Sequence, residues 1–184
     1  MDSSKLILTG KTTAFISFIG GTFILMLFYF TCSEVIGRWG LRYTAIAGSI
    51  NLIILGMLAY QAYRDKSNRA KIFKICGLMS LNIPIVLFYC WFALVLLDTM
   101  RITFINTTTA QLNDIKIYGC EEKHIQQLLP RQSRTVWISI PGDCAISIEY
   151  FINGQTKTED VSGYTSKGSG KIMTYKIGTN QPGS

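Results

Sequence analysis

Three stretches of this chain carry no Asp, Glu, Lys or Arg: Thr12–Ser33, Tyr43–Tyr63 and Ile75–Leu97. A helix rises about 1.5 Å per residue, so each stretch reaches roughly 30 Å, the thickness of a bilayer's hydrocarbon core. Inside hydrocarbon the backbone must satisfy its own hydrogen bonds, which a helix does within one segment. From Arg101 onward the chain turns polar and alternating. The expected fold class is therefore membrane α + β: three transmembrane helices followed by a small extracytoplasmic β-sandwich. The spans are placed at about residues 12–34, 43–63 and 73–98 within a membrane region 1–100. The β domain is placed at 101–178, with a flexible tail at 179–184.

The flanking charges set an orientation. The segment Met1–Lys11 holds Lys5 and Lys11 against Asp2, and Arg64, Lys66, Arg69, Lys71 and Lys74 face only Asp65. Cytoplasmic loops collect Lys and Arg, so the N-terminus and the Arg64–Lys74 segment are expected in the cytoplasm. Three crossings then put the β domain on the other side, at the plasma membrane of a bacterium. Arg38 and Arg42, with Glu34 before them, fall in the short connection between the first two spans. Glu34 and Asp98 read as carboxylates at the outer interface. A cleaved signal peptide does not fit the first span, because 22 uncharged residues exceed a usual apolar core and no small-residue cleavage box follows.

Polar features at membrane depth are few. Asn51 and Asn82 lie near mid-span and could hydrogen-bond to each other. Pro84 lacks a backbone N–H and crowds the carbonyl of Ser80, so the third helix is expected to kink there. Small residues at Ala45, Ser49, Gly56 and Ala59, and Gly20-Gly21 in the first span, read as ordinary close packing between helices. A transport pathway would want a charge at mid-membrane depth, and the three uncharged stretches hold none.

The region after Arg101 shows period-two patterning broken by turn residues. Strands are expected at Ile102–Ile105, Asp114–Tyr118, Thr135–Ile140, Cys144–Ile152, Gln155–Val161 and Lys171–Ile177. Val136, Ile138 and Ile140 share one face, as do Cys144, Ile146, Ile148, Tyr150 and Ile152. Asn153-Gly154 is a strong two-residue hairpin signal. Lys157, Glu159 and Asp160 read as charges guarding an exposed edge. Six or seven short strands in so few residues fit a small β-sandwich. A modest core gains from a covalent staple, and Cys120 with Cys144 is a plausible disulfide outside the cytoplasm, two free buried thiols being the alternative. Cys32, Cys76 and Cys90 fall in the spans as small apolar residues.

Three segments carry a resemblance: Ile102-Thr-Phe-Ile-Asn-Thr-Thr108, Leu129-Pro-Arg-Gln-Ser-Arg-Thr-Val136 and Ile148-Glu-Tyr-Phe-Ile-Asn-Gly154. Together they resemble the bacterial immunoglobulin-like sandwiches of the CARDB type: a strand ending in Asn, a Pro-containing turn into a strand, and a later hairpin. The whole chain is also similar to uncharacterised bacterial proteins that join a few membrane helices to such a domain. The pattern departs at Arg131, where a glycine is usual. The resemblance implies an immunoglobulin-like sandwich with a binding or scaffolding role, and brings no functional residues with it.

The signatures of several chemistries are missing. His124 is the only histidine and reads as an exposed loop residue, since Cys120 and His124 would supply at most two metal ligands. Neither a nucleophile elbow, a P-loop nor a zinc-protease motif is present. No catalytic residue, cofactor or metal is expected, and the chain reads as non-enzymatic. Ser162–Lys171 reads as a flexible glycine-rich connection, with Tyr164 and Lys167 as a candidate contact loop. Asn106-Thr107-Thr108 matches the glycosylation acceptor. The net charge of +7 does not indicate nucleic acid, because the residues after Met100 hold nine basic and seven acidic groups. The Arg64–Lys74 cluster instead suits anionic lipid at the cytoplasmic face. The leading expectation is an accessory subunit of a membrane complex, whose outward domain binds a partner protein. An immunity or sensor protein that captures an extracytoplasmic toxin or ligand is the alternative, and a channel or membrane-enzyme component a lesser one. Self-association is compatible with each.

Overall fold

The computed structural model describes residues 3–179, so most of the expected tail lies outside the described residues. The chain divides into two compact units between Ala93 and Leu94. The first holds α1 (Ser3–Thr31), α2 (Glu34–Arg64), α3 (Arg69–Ser80) and most of α4 (Asn82–Leu97). Among the described residues, three helices are long and apolar enough to cross a membrane, at Ser3–Thr31, Glu34–Arg64 and Arg69–Leu97, the last formed by α3 and α4 together.

These helices outrun the uncharged stretches. The segment read as a connection, with Glu34, Arg38 and Arg42, is helical from Glu34, and only Cys32 and Ser33 separate α1 from α2. Cys32 makes the reversal with φ 46°. Glu34 then sits in the first turn of α2, where a carboxylate complements the helix dipole. The third helix is interrupted at Leu81, three residues before Pro84, where the missing proline N–H leaves the Ser80 carbonyl without its helical donor. Leu58 and Ile72 are fully buried between the helices, with Leu6, Ala14 and Met79 around them. The outward surface is apolar: Phe15, Phe23, Ile53, Leu87 and Trp91 are each more than half exposed.

The second unit contains β1 (Thr99–Asn106), β2 (Leu112–Tyr118), β3 (Lys123–Leu128), β4 (Ser133–Ser139), β5 (Cys144–Ile152), β6 (Gln155–Thr165) and β7 (Ile172–Ile177). They form a three-stranded sheet in the order β4-β1-β7 and a four-stranded sheet in the order β3-β2-β5-β6. The β1–β7 pair is parallel and the other pairs are antiparallel. Both sheets feed one buried cluster, to which the first gives Ile102, Phe104 and Tyr175 and the second Ile115, Ile148 and Tyr150. Alternation along each strand explains this, since every second side chain points to the same face.

Two elements differ from expectation. Strand β3 was not legible as a strand, and His124 lies in it, not in a loop. Its buried residues, Ile125 and Leu128, are three apart, so the period-two signal fails there. Strand β6 runs on to Thr165, taking in Gly163 and Tyr164. At the β5–β6 hairpin, Asn153 and Gly154 have φ of 50° and 80°. That pair of left-handed residues is what an Asn-Gly turn supplies. Arg131, where the resembled pattern has glycine, has φ 64°.

Cys120 and Cys144 form a disulfide with a Cα–Cα distance of 5.3 Å and a sequence separation of 24. Closing a loop of that length constrains the unfolded chain by roughly 3 kcal/mol. Replacing both cysteines by serine is expected to lower the stability of the β unit by about that amount. Denaturant unfolding of the two chains, with and without reductant, checks this; a reductant effect equal in both would rule out the bond as its source.

Candidate functional site

The polar residues at mid-span do not meet each other. Asn51 donates to Ser17 Oγ at 2.7 Å and to the Ala47 carbonyl at 2.7 Å. Asn82 donates to the Ala14 carbonyl at 3.1 Å. Both amides therefore tie α2 and α4 to α1, in place of the expected Asn51–Asn82 bond. Tyr43 donates to the carbonyls of Ile16 and Ser17 at 3.1 and 3.4 Å, and its ring covers Gly20. Thr22 and Tyr89 share a hydrogen bond of 2.6 Å. Apart from the Asn51–Ala47 bond within α2, these are interhelical fastenings onto α1, with Asn51 and Tyr43 of α2 both reaching Ser17 and with Asn82 and Tyr89 of α4 reaching Ala14 and Thr22.

At the α2–α3 turn, Asp65 accepts hydrogen bonds from Ser3 Oγ at 2.7 Å and Asn68 Nδ2 at 3.0 Å. The backbone N–H groups of Ser67 and Asn68 also donate to it. The Asn68 side chain, then Ser3, hold the Asp65 carboxyl below its ordinary range.

The expected contact loop is partly a structural clasp. Lys167 reaches Asp98 at 3.9 Å, and the Gly168 N–H donates to the same carboxylate at 3.2 Å. Gly170 N–H donates to the Leu97 carbonyl at 2.7 Å, and Ile140 N–H to the Asp98 carbonyl at 2.9 Å. A Cβ on Gly170 would stand 2.4–2.6 Å from the carbonyl oxygens of Leu96, Leu97 and Thr99. Only glycine fits so close an approach at position 170, and Gly168 has the positive φ of 81° that glycine adopts freely. The last turn of α4 is thus built into the β unit. Tyr164 remains exposed beside Asp143, whose negative charge and hydrogen bond raise the tyrosine pKa.

The best candidate for recognition lies on the outer face of the four-stranded sheet. A break in register between β2 and β5 falls between Asn113 and Lys116, and Asp114 within it has φ 51°. The bulge opens a groove of about 330 Å³ lined by Asn113, Asp114, Lys116, Glu149, Phe151 and Thr156, with others. Asp114 accepts from His124 Nε2 at 2.7 Å and pairs with Lys116 Nζ at 3.3 Å. The hydrogen bond from His124, then that from Lys116, hold the Asp114 carboxyl below its ordinary value of 3.8. Phe151 gives the groove an apolar wall that is 43% exposed. The groove presents a small mixed-charge surface: an aromatic face, two carboxylates, a lysine and an amide. Sequence reasoning missed it because the groove depends on the register break between β2 and β5, which no local pattern marks. Among the described residues no group of three His, Cys, Asp or Glu side chains could hold a metal ion.

No protein-family model and no curated protein matches the chain. A solved NMR structure of a protein from Eubacterium rectale is similar to 45% of this chain and 82% of its own, at 19% identity and a TM-score of 0.35. That similarity is too low to define either a fold or a function.

Proposed function

We propose that this is a multi-pass membrane protein that displays a β-sandwich for binding a partner protein, as an accessory subunit of a membrane complex. The observation that carries the reading is the contrast between the two units. Large apolar side chains point outward along every helix, whereas the β unit buries its apolar residues in one core. An apolar surface of that extent is a lipid or protein contact. The charge distribution favours a cytoplasmic N-terminus and an extracytoplasmic β domain, and the resemblance of its sequence to CARDB domains favours a sandwich of immunoglobulin type. The Cys120–Cys144 disulfide suits an oxidising compartment. At the cytoplasmic end, the Arg64 and Arg69 guanidinium groups lie 5.9 and 5.4 Å from the Tyr60 and Phe73 ring centroids, an arrangement suited to anionic headgroups. One helix would tether a domain; three offer lateral contacts for other membrane helices. The Asp114–Lys116–Phe151 groove supplies a surface for the partner.

The test is purification of the full-length protein in mild detergent, with mass spectrometry of what accompanies it. A stoichiometric membrane partner is expected, lost from a variant trimmed to a single helix. Survival of the complex in that variant would refute the lateral contacts. A protein that emerges alone would refute the accessory subunit. Capture of a soluble target through the groove would then support the immunity or sensor alternative.

A further inference from the structure

The outer face of the three-stranded sheet carries a row that the partner-binding reading does not use. Register places Trp137 of β4 and Ile172 of β7 on either side of Arg101 of β1. Alternation puts all three on the outward face, since Met100, Ile102 and Phe104 fill the core. Trp137 is 39% exposed and Ile172 42%, while Arg101 is nearly buried at 5%. The Arg101 guanidinium lies 5.2 Å from the Trp137 ring centroid. A guanidinium over the ring holds the indole in place and lends positive charge to its surroundings. The rows beyond contain Thr103, Thr135 and Thr174, then Ser133, Ile105 and Lys176. None of these residues is acidic, whereas the outer face of the other sheet mixes Asp114 and Glu149 with Lys116 and His124.

The position of the row matters as much as its chemistry. Arg101 is four residues past Leu97, the end of α4, so the chain holds it within about 14 Å of that end in any orientation. The clasp through Gly170, Asp98 and Ile140 restrains it further. Lys171, exposed and next to Ile172, accepts the Arg101 N–H through its carbonyl at 2.9 Å. A tryptophan, an isoleucine and the exposed Lys171 near the end of a membrane span match what the bilayer interface selects: an indole with an apolar body and a polar N–H, and a basic group near phosphate.

We propose that the Trp137–Arg101–Ile172 row is a membrane-contact surface, which seats the β domain on the phospholipid headgroups of the leaflet from which α4 emerges. The inference rests on the membrane reading given above. Trp137 and Ile172 enter the interface, Arg101 positions the indole, and Lys171 draws the row toward anionic lipid. The contact leaves the opposite sheet, with its groove, available to a protein partner.

Tryptophan fluorescence tests this on the full chain in liposomes. The chain has three tryptophans, Trp39, Trp91 and Trp137. The W39F/W91F protein then reports on Trp137 alone, and the W39F/W137F protein on Trp91, within α4. In vesicles of phosphatidylcholine brominated near the carbonyl, Trp137 emission should fall in intensity relative to unbrominated vesicles. Adding phosphatidylglycerol should deepen the loss, and Lys171→Glu in the single-Trp137 background should reverse that increment. Quenching of Trp91 with no quenching of Trp137 would overturn the docking and leave the membrane reading standing. Loss of quenching at both positions would overturn both. A Trp137 response indifferent to phosphatidylglycerol would remove the electrostatic part.

Discussion

Replacing Asn106 by alanine is expected to destabilise the β unit by about 4 kcal/mol, much of the total stability of a domain this small. Asn106 ends β1 and is fully buried. Its amide Nδ2 donates to the carbonyls of Ala110 and Leu128, both at 2.9 Å, and so joins the β1–β2 turn to the end of β3. Its Oδ1 accepts from the Thr108 N–H at 2.9 Å and the Thr108 hydroxyl at 2.7 Å. The main chain of the same residue bonds Gln132 and Arg131. Alanine would strip donors from two carbonyls and an acceptor from Thr108, and a buried polar group left unpaired costs roughly 1–3 kcal/mol. The Asn106→Asp substitution should be worse than alanine, because its carboxylate would face two carbonyl oxygens without a proton to offer. Denaturant unfolding and amide exchange across β1, the β1–β2 turn and β3 would measure this. An Asn106→Asp chain as stable as the parent would show that the donated bonds do not hold the turn. The same geometry bears on the Asn106-Thr107-Thr108 acceptor pattern, since the amide that would carry a glycan is buried and doubly bonded.

Glu159 is the second position with a large expected effect. It lies on β6, and its Oε1 accepts the Tyr150 hydroxyl at 2.5 Å while its Oε2 accepts the Tyr175 hydroxyl at 2.9 Å. Gly178 N–H adds a third donor at 3.1 Å. Tyr150 belongs to the four-stranded sheet and Tyr175 to the three-stranded one, so one carboxylate fastens the two sheets beside the β6 edge. Alanine leaves two buried hydroxyls without acceptors, for an expected loss of about 3 kcal/mol, and glutamine, which keeps one oxygen, should lose less. Burial, then the hydrogen bond to Glu159 and its charge, raise both tyrosine pKa values above the ordinary 10.0. An acid whose folded pKa is raised holds its proton more tightly when folded. The resulting stability is complete below pH 10 and is lost as pH rises through the folded values. Tyrosinate absorbance should therefore leave these two hydroxyls protonated above pH 10 until the domain unfolds. In the Glu159→Ala chain both should titrate earlier. Normal titration of Tyr150 and Tyr175 in the parent would sink the bridging role.

The Glu159 case also shows where reading the chain failed. Lys157, Glu159 and Asp160 look alike as edge charges, and Lys157 and Asp160 are indeed exposed. Nothing local marks Glu159 as the residue whose neighbours across the domain are two tyrosine hydroxyls. Gly170 is the reverse case: its glycine-rich surroundings suggest freedom, and the packed carbonyls around it show constraint.

The sequence by itself determined where the apolar helices lie, which side chains of β4 and β5 share a face, and the Asn153-Gly154 turn. Each depends on composition or on a periodicity carried within a few consecutive residues. It made a Cys120–Cys144 disulfide plausible beside two free thiols, and the structure shows the bond. The tertiary structure alone decided the rest. It supplied strand β3 without a period-two pattern, the opening beside Asp114, and the partners of Asn51 and Asn82 on α1. It also brought Glu159 between two sheets and Arg101 beneath Trp137. These depend on register and on segments distant in sequence coming within a few ångströms, which no local pattern encodes.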